Sequence, residues 1–421
     1  MRAEVLLGLT VLASLPASHG LTAIRTSDAS HTIAQTMPST AMSVITDAIR
    51  AAAAGDTVRV PAAVYSGPTI VIDRPLMLIG ERGAVLDGEG ERALIEIRAD
   101  NVIVRGLTFR NVGVSFVEDR AALRVTDARN CELLENRFEA TFFAIYLEKV
   151  DGCQVRGNRV TGAGRRETMA GNGVHVWNSR NITITDNEVR GHRDGIYLEF
   201  VKQSRVEGNR SADNVRYGVH FMFSDSCQYL DNAFVRNGAG VAVMYARFVV
   251  MERNTFERNR GTATYGLLLK DIRDSRISGN RFIGNTVGLL ADGSNRLAVK
   301  ANTFRENGWA IKVLANATDN RFTDNVFVGN TFDVATNSRR SSSSFERNYW
   351  DAYRGYDLDG DGFGDVPFRP VRLFSLIVER YPTALSLLRS LFIDILDAAE
   401  RVLPLLTPET LVDAEPRMGL P

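Results

Sequence analysis

The sequence has no excess of charge of either sign. Its 421 residues include 50 Lys and Arg and 50 Asp and Glu, so the formal net charge is zero. A protein that binds nucleic acid normally carries a basic excess, because it must neutralise phosphates. The balance therefore argues against a nucleic-acid partner.

Cysteine and proline are also scarce. The chain contains 3 Cys and 12 Pro, against 35 Gly. Three cysteines cannot form the disulfide framework that holds many small secreted proteins together. With 44% hydrophobic and 24% charged residues, the composition is that of an ordinary globular chain.

The N-terminus has the features of a secretion signal. Arg2 precedes a short apolar stretch, and small residues lead to Gly20, after which we expect cleavage. The apolar stretch is too short for a membrane span, which needs about 20 residues. We predict a signal peptide at 1–20, a flexible leader at 21–40 and a mature chain in an oxidising compartment. A buried N-terminal helix is the alternative.

An asparagine recurs through the chain at steps of 22 to 29 residues, most often 22 or 23. Strands of about five residues, three to a repeat, make one coil of a parallel β-helix, whereas helical repeats have periods of about 33 to 47 residues. We predict an all-β fold, a right-handed parallel β-helix over 41–350 with coils of about 22 residues. The repeated positions are Asn136, Asn158, Asn187, Asn209, Asn232, Asn254, Asn280, Asn302, Asn325 and Asn348.

Asparagine is expected at one corner of each coil for two reasons. It tolerates left-handed backbone conformation better than most residues. Stacked asparagine side chains can also hydrogen-bond to one another along the solenoid axis. We therefore expect these asparagines to form a column.

Both ends of the repeat region carry patterns typical of caps. Met42–Ala54 predicts an amphipathic helix that ends before Gly55 and covers the open edge of the first coil. An Asp/Gly-rich loop segment is expected at 351–373. The remainder, 374–421, is expected to form a helical and extended tail that docks a partner.

The three cysteines fall in one column of the repeat. Cys131, Cys153 and Cys227 each lie five residues before a repeat asparagine, at positions expected to face inward. Cys131 and Cys153 would stack on neighbouring coils, where a disulfide is geometrically conceivable. We predict that all three are buried free thiols that pack as small hydrophobic side chains.

One wall of the solenoid carries the candidate chemistry. In its strands, which mostly begin with Gly, the second and fourth residues after the Gly are predicted to point outward. That places His220, Met222 and Met244 together on adjacent coils. Imidazole and thioether groups are soft ligands that select copper, especially Cu(I). We predict a copper site here, with His175 and Met169 as outlying ligands; the alternative is that these side chains only cover the sheet.

Two coils are longer than the others, and both insertions precede a strand of this wall. They are Thr161–Asn172 and Arg260–Tyr265. Insertions on one side of a solenoid usually mark its binding side. They therefore point to the same face as the histidine and methionine residues.

A carbohydrate enzyme is the alternative function, because many β-helices act on polysaccharides. Glu148 and Glu199 would lie two coils, about 10 Å, apart, which is loosely compatible with an inverting carboxylate pair. The face has no Asp cluster and no Lys or Arg base beside a carboxylate. We therefore favour a protein without catalytic activity.

The segment that begins at Asp357 matches the opening of a calcium loop. Asp357, Asp359, Asp361 and Asp365 occupy positions one, three, five and nine of that pattern. The twelfth position is Phe368, so the usual bidentate Glu is missing. A structural Ca²⁺ site is a prediction here, and a turn without an ion is the alternative.

The tail has a helical pattern that is rich in Leu, Ile and Phe. Ala384–Leu406 contains too many charged residues for a membrane span, and Asp394, Asp397 and Arg401 share one helical face. It can cap the last coil or dock on a membrane-protein partner. Thr407–Pro421 is expected to be extended and to thread along that partner.

The segment Asn348–Pro367 resembles the signature that closes the coils in the NosD family of maturation proteins for nitrous oxide reductase. The openings Ala54–Val60 and Pro75–Gly80 are similar to the start of that family, and Leu396–Val402 and Pro416–Met418 to its tail. The resemblance covers the mature chain nearly end to end. Only the closing segment and the tail are specific, because sugar-processing β-helices share the rest.

The resemblance implies a non-catalytic periplasmic protein that is held at the inner membrane through partners. It implies docking on an ABC-type transporter with a membrane subunit and a cytoplasmic ATPase. It also implies that copper arrives from a chaperone lipoprotein and is used to assemble the copper–sulfide centre of nitrous oxide reductase. No family motif assigns the metal ligands, so the copper residues rest on the column argument.

Overall fold

The computed structural model describes residues 39–115, 117–164, 166–261, 264–338, 341–388, 390–402 and 411–420. The predicted signal peptide and nearly all of the predicted leader lie outside these residues. Within them the chain winds as a right-handed parallel β-helix of about 13 turns, which confirms the fold predicted from the repeat. No helix in the described ranges is long and apolar enough to cross a membrane.

Three parallel sheets form the walls of the solenoid, and each coil contributes one strand to each sheet. The wide sheet has 12 strands among the described residues and carries the predicted functional face. Its strands, many of them six residues long, are Ile70–Ile72, Ile95–Ile97, Ala121–Thr126, Phe143–Glu148, Val174–Trp177, Asp194–Glu199, Tyr217–Met222, Ala239–Met244, Tyr265–Lys270, Val287–Asp292, Trp309–Val313 and Phe332–Ala335.

The other two walls are built from shorter strands. The second sheet has 13 described strands. They are Thr57–Val60, Met77–Gly80, Ile103–Arg105, Glu132–Leu134, Gln154–Arg156, Thr183–Thr185, Arg205–Glu207, Gln228–Leu230, Val250–Glu252, Arg276–Ser278, Ala298–Lys300, Arg321–Thr323 and Ser344–Glu346. The third sheet has 14 described strands. They are Ser39–Ala41, Val64–Ser66, Val85–Asp87, Thr108–Arg110, Arg137–Glu139, Arg159–Thr161, Glu188–Arg190, Arg210–Ala212, Ala233–Val235, Thr255–Glu257, Arg281–Ile283, Thr303–Arg305, Val326–Val328 and Tyr349–Trp350.

The repeated asparagines are buried and form a continuous ladder. The side-chain oxygen of Asn280 accepts from the backbone and side-chain nitrogens of Asn254 at 2.9 and 3.0 Å, and its amide donates to Asn302 at 2.9 Å. The predicted side-chain ladder is confirmed. The left-handed backbone predicted for these asparagines is wrong, because positive φ falls on the residue before each one, as at Arg253 (φ 54°) and Gly279 (φ 63°).

Aromatic rings stack along the interior of the solenoid. Each lies two residues after an asparagine of the ladder. Phe256, Phe282, Phe304, Phe327 and Trp350 follow one another with ring centroids 4.7, 4.6, 5.1 and 4.1 Å apart. All are essentially buried. Large aromatic side chains dominate core energetics through their buried area, so this stack and the ladder together fix the register of the coils.

The cysteine prediction is wrong for one pair. Cys131 and Cys153 form a disulfide, with Cα atoms 4.5 Å apart. Both side chains point inward at equivalent positions of neighbouring coils, so stacking brings the two sulfurs together. Cys227 is a buried free thiol, as predicted. Burial raises the pKa of this thiol to about 12, so it remains protonated.

The N-terminal cap is a short helix, α1 (Ser43–Ala51). Ile45 and Ile49 are buried from its inner face in the main core. Gly55 follows with φ at 90°. The predicted capping helix is present, since its apolar face closes the first coil.

The tail folds back on the outer side of the wide sheet. Its helices are α2 (Leu373–Arg380), a 3₁₀ turn at Pro382–Leu387 and α3 (Leu391–Val402). A small apolar cluster joins the helices to the sheet through Phe332, Phe374, Val378 and Ile393. Lys312 of the sheet also forms an ion pair with Glu379 of α2. The side chains of Asp394, Asp397 and Arg401 lie outside the described ones.

The last residues close the C-terminal end of the solenoid. Phe345 pairs with Asp413 in a β-bridge. The Asp413 carboxylate, which is fully buried, accepts hydrogen bonds at 3.0 Å from the backbone nitrogen of Asn348 and from Trp350 Nε1. Asp413 thus takes the place of the next asparagine in the ladder. Residues 411–418 therefore pack within the chain, and docking of the tail on a partner stays a prediction.

Candidate metal site

Strand register creates two outward columns on the wide sheet. The first column reads Tyr146, His175, Tyr197, His220, Ala242 and Leu268. The second reads Glu148, Trp177, Glu199, Met222, Met244 and Lys270. The residues between them, such as Phe221 and Val243, are fully buried in the core. The first column is itself covered, since Tyr146 and His220 are each only 6% exposed.

The two methionines are direct partners on neighbouring strands. Met222 pairs with Met244 in the register, and both are partly buried. The Tyr197 hydroxyl donates to Met222 Sδ at 3.7 Å. Met244 packs beside an apolar patch that includes Ala242 and Leu268. Two thioethers therefore emerge on one face about one strand spacing apart.

His220 lies two residues before Met222 on the same outward side of its strand. Its ring packs between Tyr197 and Tyr217, with centroids 4.8 Å from each. Nδ1 is 3.6 Å from Asp194 Oδ2. Nε2 is buried and has no hydrogen-bond partner in the described part of the chain. A neutral imidazole binds metal through such a free nitrogen.

Fully buried Asp194 pairs with the partly exposed Arg216 beside this histidine. Arg216 Nε donates to Asp194 Oδ1 at 2.8 Å, and Arg216 Nη2 lies 3.3 Å from His220 Nδ1. Although burial alone would raise it, hydrogen bonds from Arg216 and His220 lower the pKa of Asp194 to about 2. A carboxylate beside the second ring nitrogen is the usual support of a metal-binding histidine.

Sequence reasoning missed this pair, although one clue was present. Asp194 and Arg216 are 22 residues apart, which is one coil, so opposite charges meet on neighbouring strands. The spacing does not predict the contact between Arg216 and His220, because that contact depends on the conformation of the arginine side chain.

His175 does not join the same group. It is two strands from His220 with the Tyr197 ring between them, about 10 Å away along the axis. Its Nδ1 is 3.3 Å from the Asn172 side-chain nitrogen, and Nε2 has no partner among the described residues. Burial, followed by the charge of Arg193, lowers the pKa of His175 to about 3. The ring is therefore neutral near pH 7.

Met169 lies on the first insertion, in a 3₁₀ turn at Glu167–Met169, and is 50% exposed. The insertion reaches the site through Glu167, which is 3.2 Å from Arg216. Among the five predicted copper ligands, the structure thus groups His220, Met222 and Met244 on one face. Met169 lies on the insertion and His175 further along the column.

The carboxylates of the carbohydrate alternative lie in the second column. Trp177 stands between Glu148 and Glu199, and Glu148 is paired with Arg124 at 2.5 Å. A hydrolysing pair needs open space between its carboxylates for the sugar and water. The register places the Trp177 side chain between these two carboxylates, which disfavours such a pair.

The acidic loop brings three of its four predicted ligands together. Carboxyl oxygens of Asp357, Asp359 and Asp361 lie within 4.8 Å of one another. Asp365 instead accepts a hydrogen bond from the backbone nitrogen of Leu358 at 2.6 Å. Asp359 and Asp361 are exposed. The calcium site stays a prediction.

Comparison with known proteins places the chain in a family. A family model described as periplasmic copper-binding protein (NosD) matches residues 163–358. A Pseudomonas aeruginosa protein named probable ABC transporter binding protein NosD is 32% identical over 376 residues, which cover 85% of this chain and 87% of that protein. The chain belongs to the NosD family. A NosD protein of Stutzerimonas stutzeri with the same description is 31% identical over 384 residues, with 86% and 87% covered.

Membership makes this NosD chain a periplasmic accessory protein of a copper-binding family. His220, Met222 and Met244 all fall inside the segment that the NosD model matches. The two relatives are named as probable ABC transporter binding proteins. That name describes the relatives.

Solved structures share the fold of this NosD chain. An exopolygalacturonase of Yersinia enterocolitica has a TM-score of 0.58 at 12% identity, covering 75% of this chain and 76% of that one. An α-1,3-glucanase of Streptomyces thermodiastaticus has a TM-score of 0.54 at 14% identity, covering 74% and 63%. At such low identity these likenesses establish the β-helix and carry nothing about activity.

Proposed function

We propose that this chain binds Cu(I) as cargo in the periplasm, through His220, Met222 and Met244, and catalyses no reaction. Its partners are the membrane subunit and cytoplasmic ATPase of an ABC-type transporter, at the inner membrane. Copper comes from a chaperone lipoprotein and serves the assembly of the copper–sulfide centre of nitrous oxide reductase. The observation that carries the proposal is the strand register that aligns one imidazole and two thioethers on one face.

The donor set suits a soft, monovalent ion. Thioethers bind Cu(I) in preference to hard cations such as Mg²⁺, and a neutral imidazole adds a third ligand. The Asp194 carboxylate orients the His220 ring. Arg216 pairs with Asp194 and holds this carboxylate in place.

The test is a Cu(I) titration of the mature protein against a competing chelator under anaerobic conditions. Met222→Leu and Met244→Leu remove a sulfur while keeping side-chain volume, so the fold is retained. Loss of a residue that only hydrogen-bonds to a metal ligand already weakens metal binding roughly tenfold. We expect each substitution, which removes a ligand itself, to weaken Cu(I) binding by at least that factor. Met418→Leu, at an exposed position in the tail, is the matched control and should leave affinity unchanged. Equal affinity in all four proteins contradicts the site.

The outlying candidates can be tested in the same titration. Met169→Leu should leave Cu(I) affinity unchanged, because Met169 lies on the insertion and is half exposed. His175→Ala should have a smaller effect than His220→Ala. A larger effect of His175→Ala would move the site toward the other end of the column.

Asp194 offers a second, independent test. Asp194→Asn should weaken Cu(I) binding by about 10- to 100-fold, as expected when a ligand's hydrogen-bond partner is lost. In a His220→Ala background the same change should have no further effect, because the ring it orients is gone. An equal loss in both backgrounds would mean that Asp194 acts on the fold.

The tail helices are the proposed contact with the transporter. Their inner face packs on the wide sheet, while Leu391, Phe392 and Ile395 are 74%, 51% and 60% exposed. Contiguous exposed apolar groups of this kind mark protein or membrane interaction sites. Deleting the whole tail is a poor test, because it also removes Asp413 from the end of the core.

Charge substitution tests the tail and leaves the fold in place. Leu391→Glu combined with Ile395→Glu should abolish co-purification with membranes that contain the transporter. Leu358→Glu, at an 80% exposed position on the acidic loop, is the control. Association that survives the double change would refute the docking role.

Two minor proposals have less support. For the carbohydrate alternative, Glu148→Gln and Glu199→Gln should abolish any depolymerising or epimerising activity, and a wild-type protein without such activity rejects it. For the acidic loop, Ca²⁺ should raise the melting temperature of the wild type and not of Asp359→Asn if a site exists.

A further inference from the structure

Two opposite charges flank the methionine pair in the second outward column of the wide sheet. The strand register places Glu199 beside Met222 on one side and Lys270 beside Met244 on the other. All four side chains are partly buried. Each charged residue is one strand spacing, about 4.8 Å, from the nearer methionine along the sheet. We call Glu199 and Lys270 the flanking charges.

Neither flanking charge is neutralised by an ion pair within the described part of the chain. Asp292 is the next residue of the column after Lys270, on the side away from Met244. Its carboxylate accepts a hydrogen bond from the Asn316 side chain at 2.8 Å. Both flanking charges can therefore act on an ion that binds between them.

The Glu199 carboxylate lies close to the sulfur of Met222, because both contact the same hydroxyl group. The Tyr197 hydroxyl donates to Met222 Sδ at 3.7 Å. Burial, followed by the charge of Glu199 and a hydrogen bond to it, raises the pKa of Tyr197. Glu199 therefore stands at the edge of the proposed copper face.

A carboxylate in this position attracts a soft cation without holding it. Cu(I) prefers thioether and imidazole ligands, whereas carboxylate oxygens suit harder ions. Over a distance of about one strand spacing, the negative charge of Glu199 still lowers the energy of a monovalent cation. Glu199 can thus draw the ion toward Met222 and leave the coordination to the sulfurs and His220.

The other end of the pair is unfavourable for a cation. The ammonium group of Lys270 repels positive charge beside Met244. The strands beyond Met244 carry an apolar patch that includes Leu268 and Leu290, each 8% exposed. The tail helices pack on Phe332 further along the same sheet. A cation that approached from this end would meet repulsion and an apolar surface.

We propose that the flanking charges give the copper face a direction. Cu(I) enters and leaves past Glu199, at the Met222 end, and Lys270 prevents it from moving on beyond Met244. Neither residue is a metal ligand, since both act through their charge alone. This regulation of the site rests on the proposed function.

The test measures the affinity and the association rate of Ag(I), a soft cation of the same charge, on the mature protein. Silver nitrate is the probe, in about 10 mM and about 1 M sodium nitrate, where charges act over about 30 Å and about 3 Å. At low salt, Glu199→Gln should slow association and weaken binding about three- to tenfold. Lys270→Gln should strengthen binding by a similar factor, mainly by slowing release.

Two features separate an effect of charge from an effect on the fold. The double variant Glu199→Gln with Lys270→Gln should bind within about twofold of the wild type, because the two changes have opposite signs. All differences should shrink by at least half at high salt, whereas a structural effect would persist. Glu148→Gln is the control, because Glu148 is three strand spacings, about 14 Å, from Met222 and is already paired with Arg124.

Several results overturn the proposal. They are unchanged binding by Glu199→Gln, an equal loss at low and high salt, or a fall in its melting temperature that accounts for the loss. Association that Lys270→Gln accelerates more than Glu199→Gln slows it would place the entry at the Met244 end. A wild type that binds neither Ag(I) nor Cu(I) overturns the proposed function together with this one. Binding that ignores the flanking charges overturns this one alone.

Discussion

The carboxylate that ends the asparagine ladder should be essential for the stability of the C-terminal coils. Asp413 accepts from the backbone nitrogens of Arg347 and Asn348, from the Asn348 side chain and from Trp350 Nε1, at 3.0 to 3.1 Å. Asp413→Ala leaves three buried donors and the partly buried Arg347 nitrogen without this acceptor. Each costs about 1–3 kcal/mol. Water can reach the end of the solenoid, so we take the lower end for each donor, about 4 kcal/mol in total.

A loss of that size is a large part of the stability of a typical domain, about 5–15 kcal/mol. Asp413→Asn keeps one acceptor oxygen and should cost about 1–2 kcal/mol. Solenoids unfold from their ends because each coil contacts only its neighbours. Urea unfolding followed by circular dichroism, with hydrogen exchange at the Asn348 amide, measures both effects. If Asp413→Ala unfolds like the wild type and the Asn348 amide stays protected, the ladder does not depend on its terminal carboxylate.

Two further stability predictions follow from the core. Replacing both Cys131 and Cys153 by Ala should cost about 3 kcal/mol, since the bond closes a loop of 22 residues; Cys227→Ala is the control, and an equal loss from it would show that only packing is involved. Asn280→Ala in mid-ladder should cost about 3 kcal/mol by leaving the two nitrogens of Asn254 without an acceptor. Urea midpoints measure both, and a shift below 1 kcal/mol for Asn280→Ala would contradict the ladder argument.

The sequence predicts the coils well because identical positions stack on one another. A spacing of 22 residues places Asn254 on Asn232 whatever the details of the turn, and the same logic aligns Met222 with Met244. The disulfide between Cys131 and Cys153 could not be predicted in this way. The repeat spacing shows that the two thiols are close together, but not whether they are oxidised. The prediction of left-handed backbone at the asparagines was wrong. Asparagine occurs at these positions because its buried side chain forms the ladder, and not because of its backbone angles.

Contacts between distant segments could not be predicted in the same way. Asp413 reaches Asn348 across 65 residues that leave the repeat, and no periodicity carries that information. The Arg216 contact with Glu167 depends on the path of an insertion.

The dependence of the final rung on Asp413 has a consequence for biosynthesis. A chain made from its N-terminus delivers all of its coils before Asp413, the residue that closes the last coil. A prematurely terminated product would therefore leave Asn348 and the strand edges above it open to water, proteases and other chains. Closure of the last coil therefore requires a chain that extends at least to Asp413.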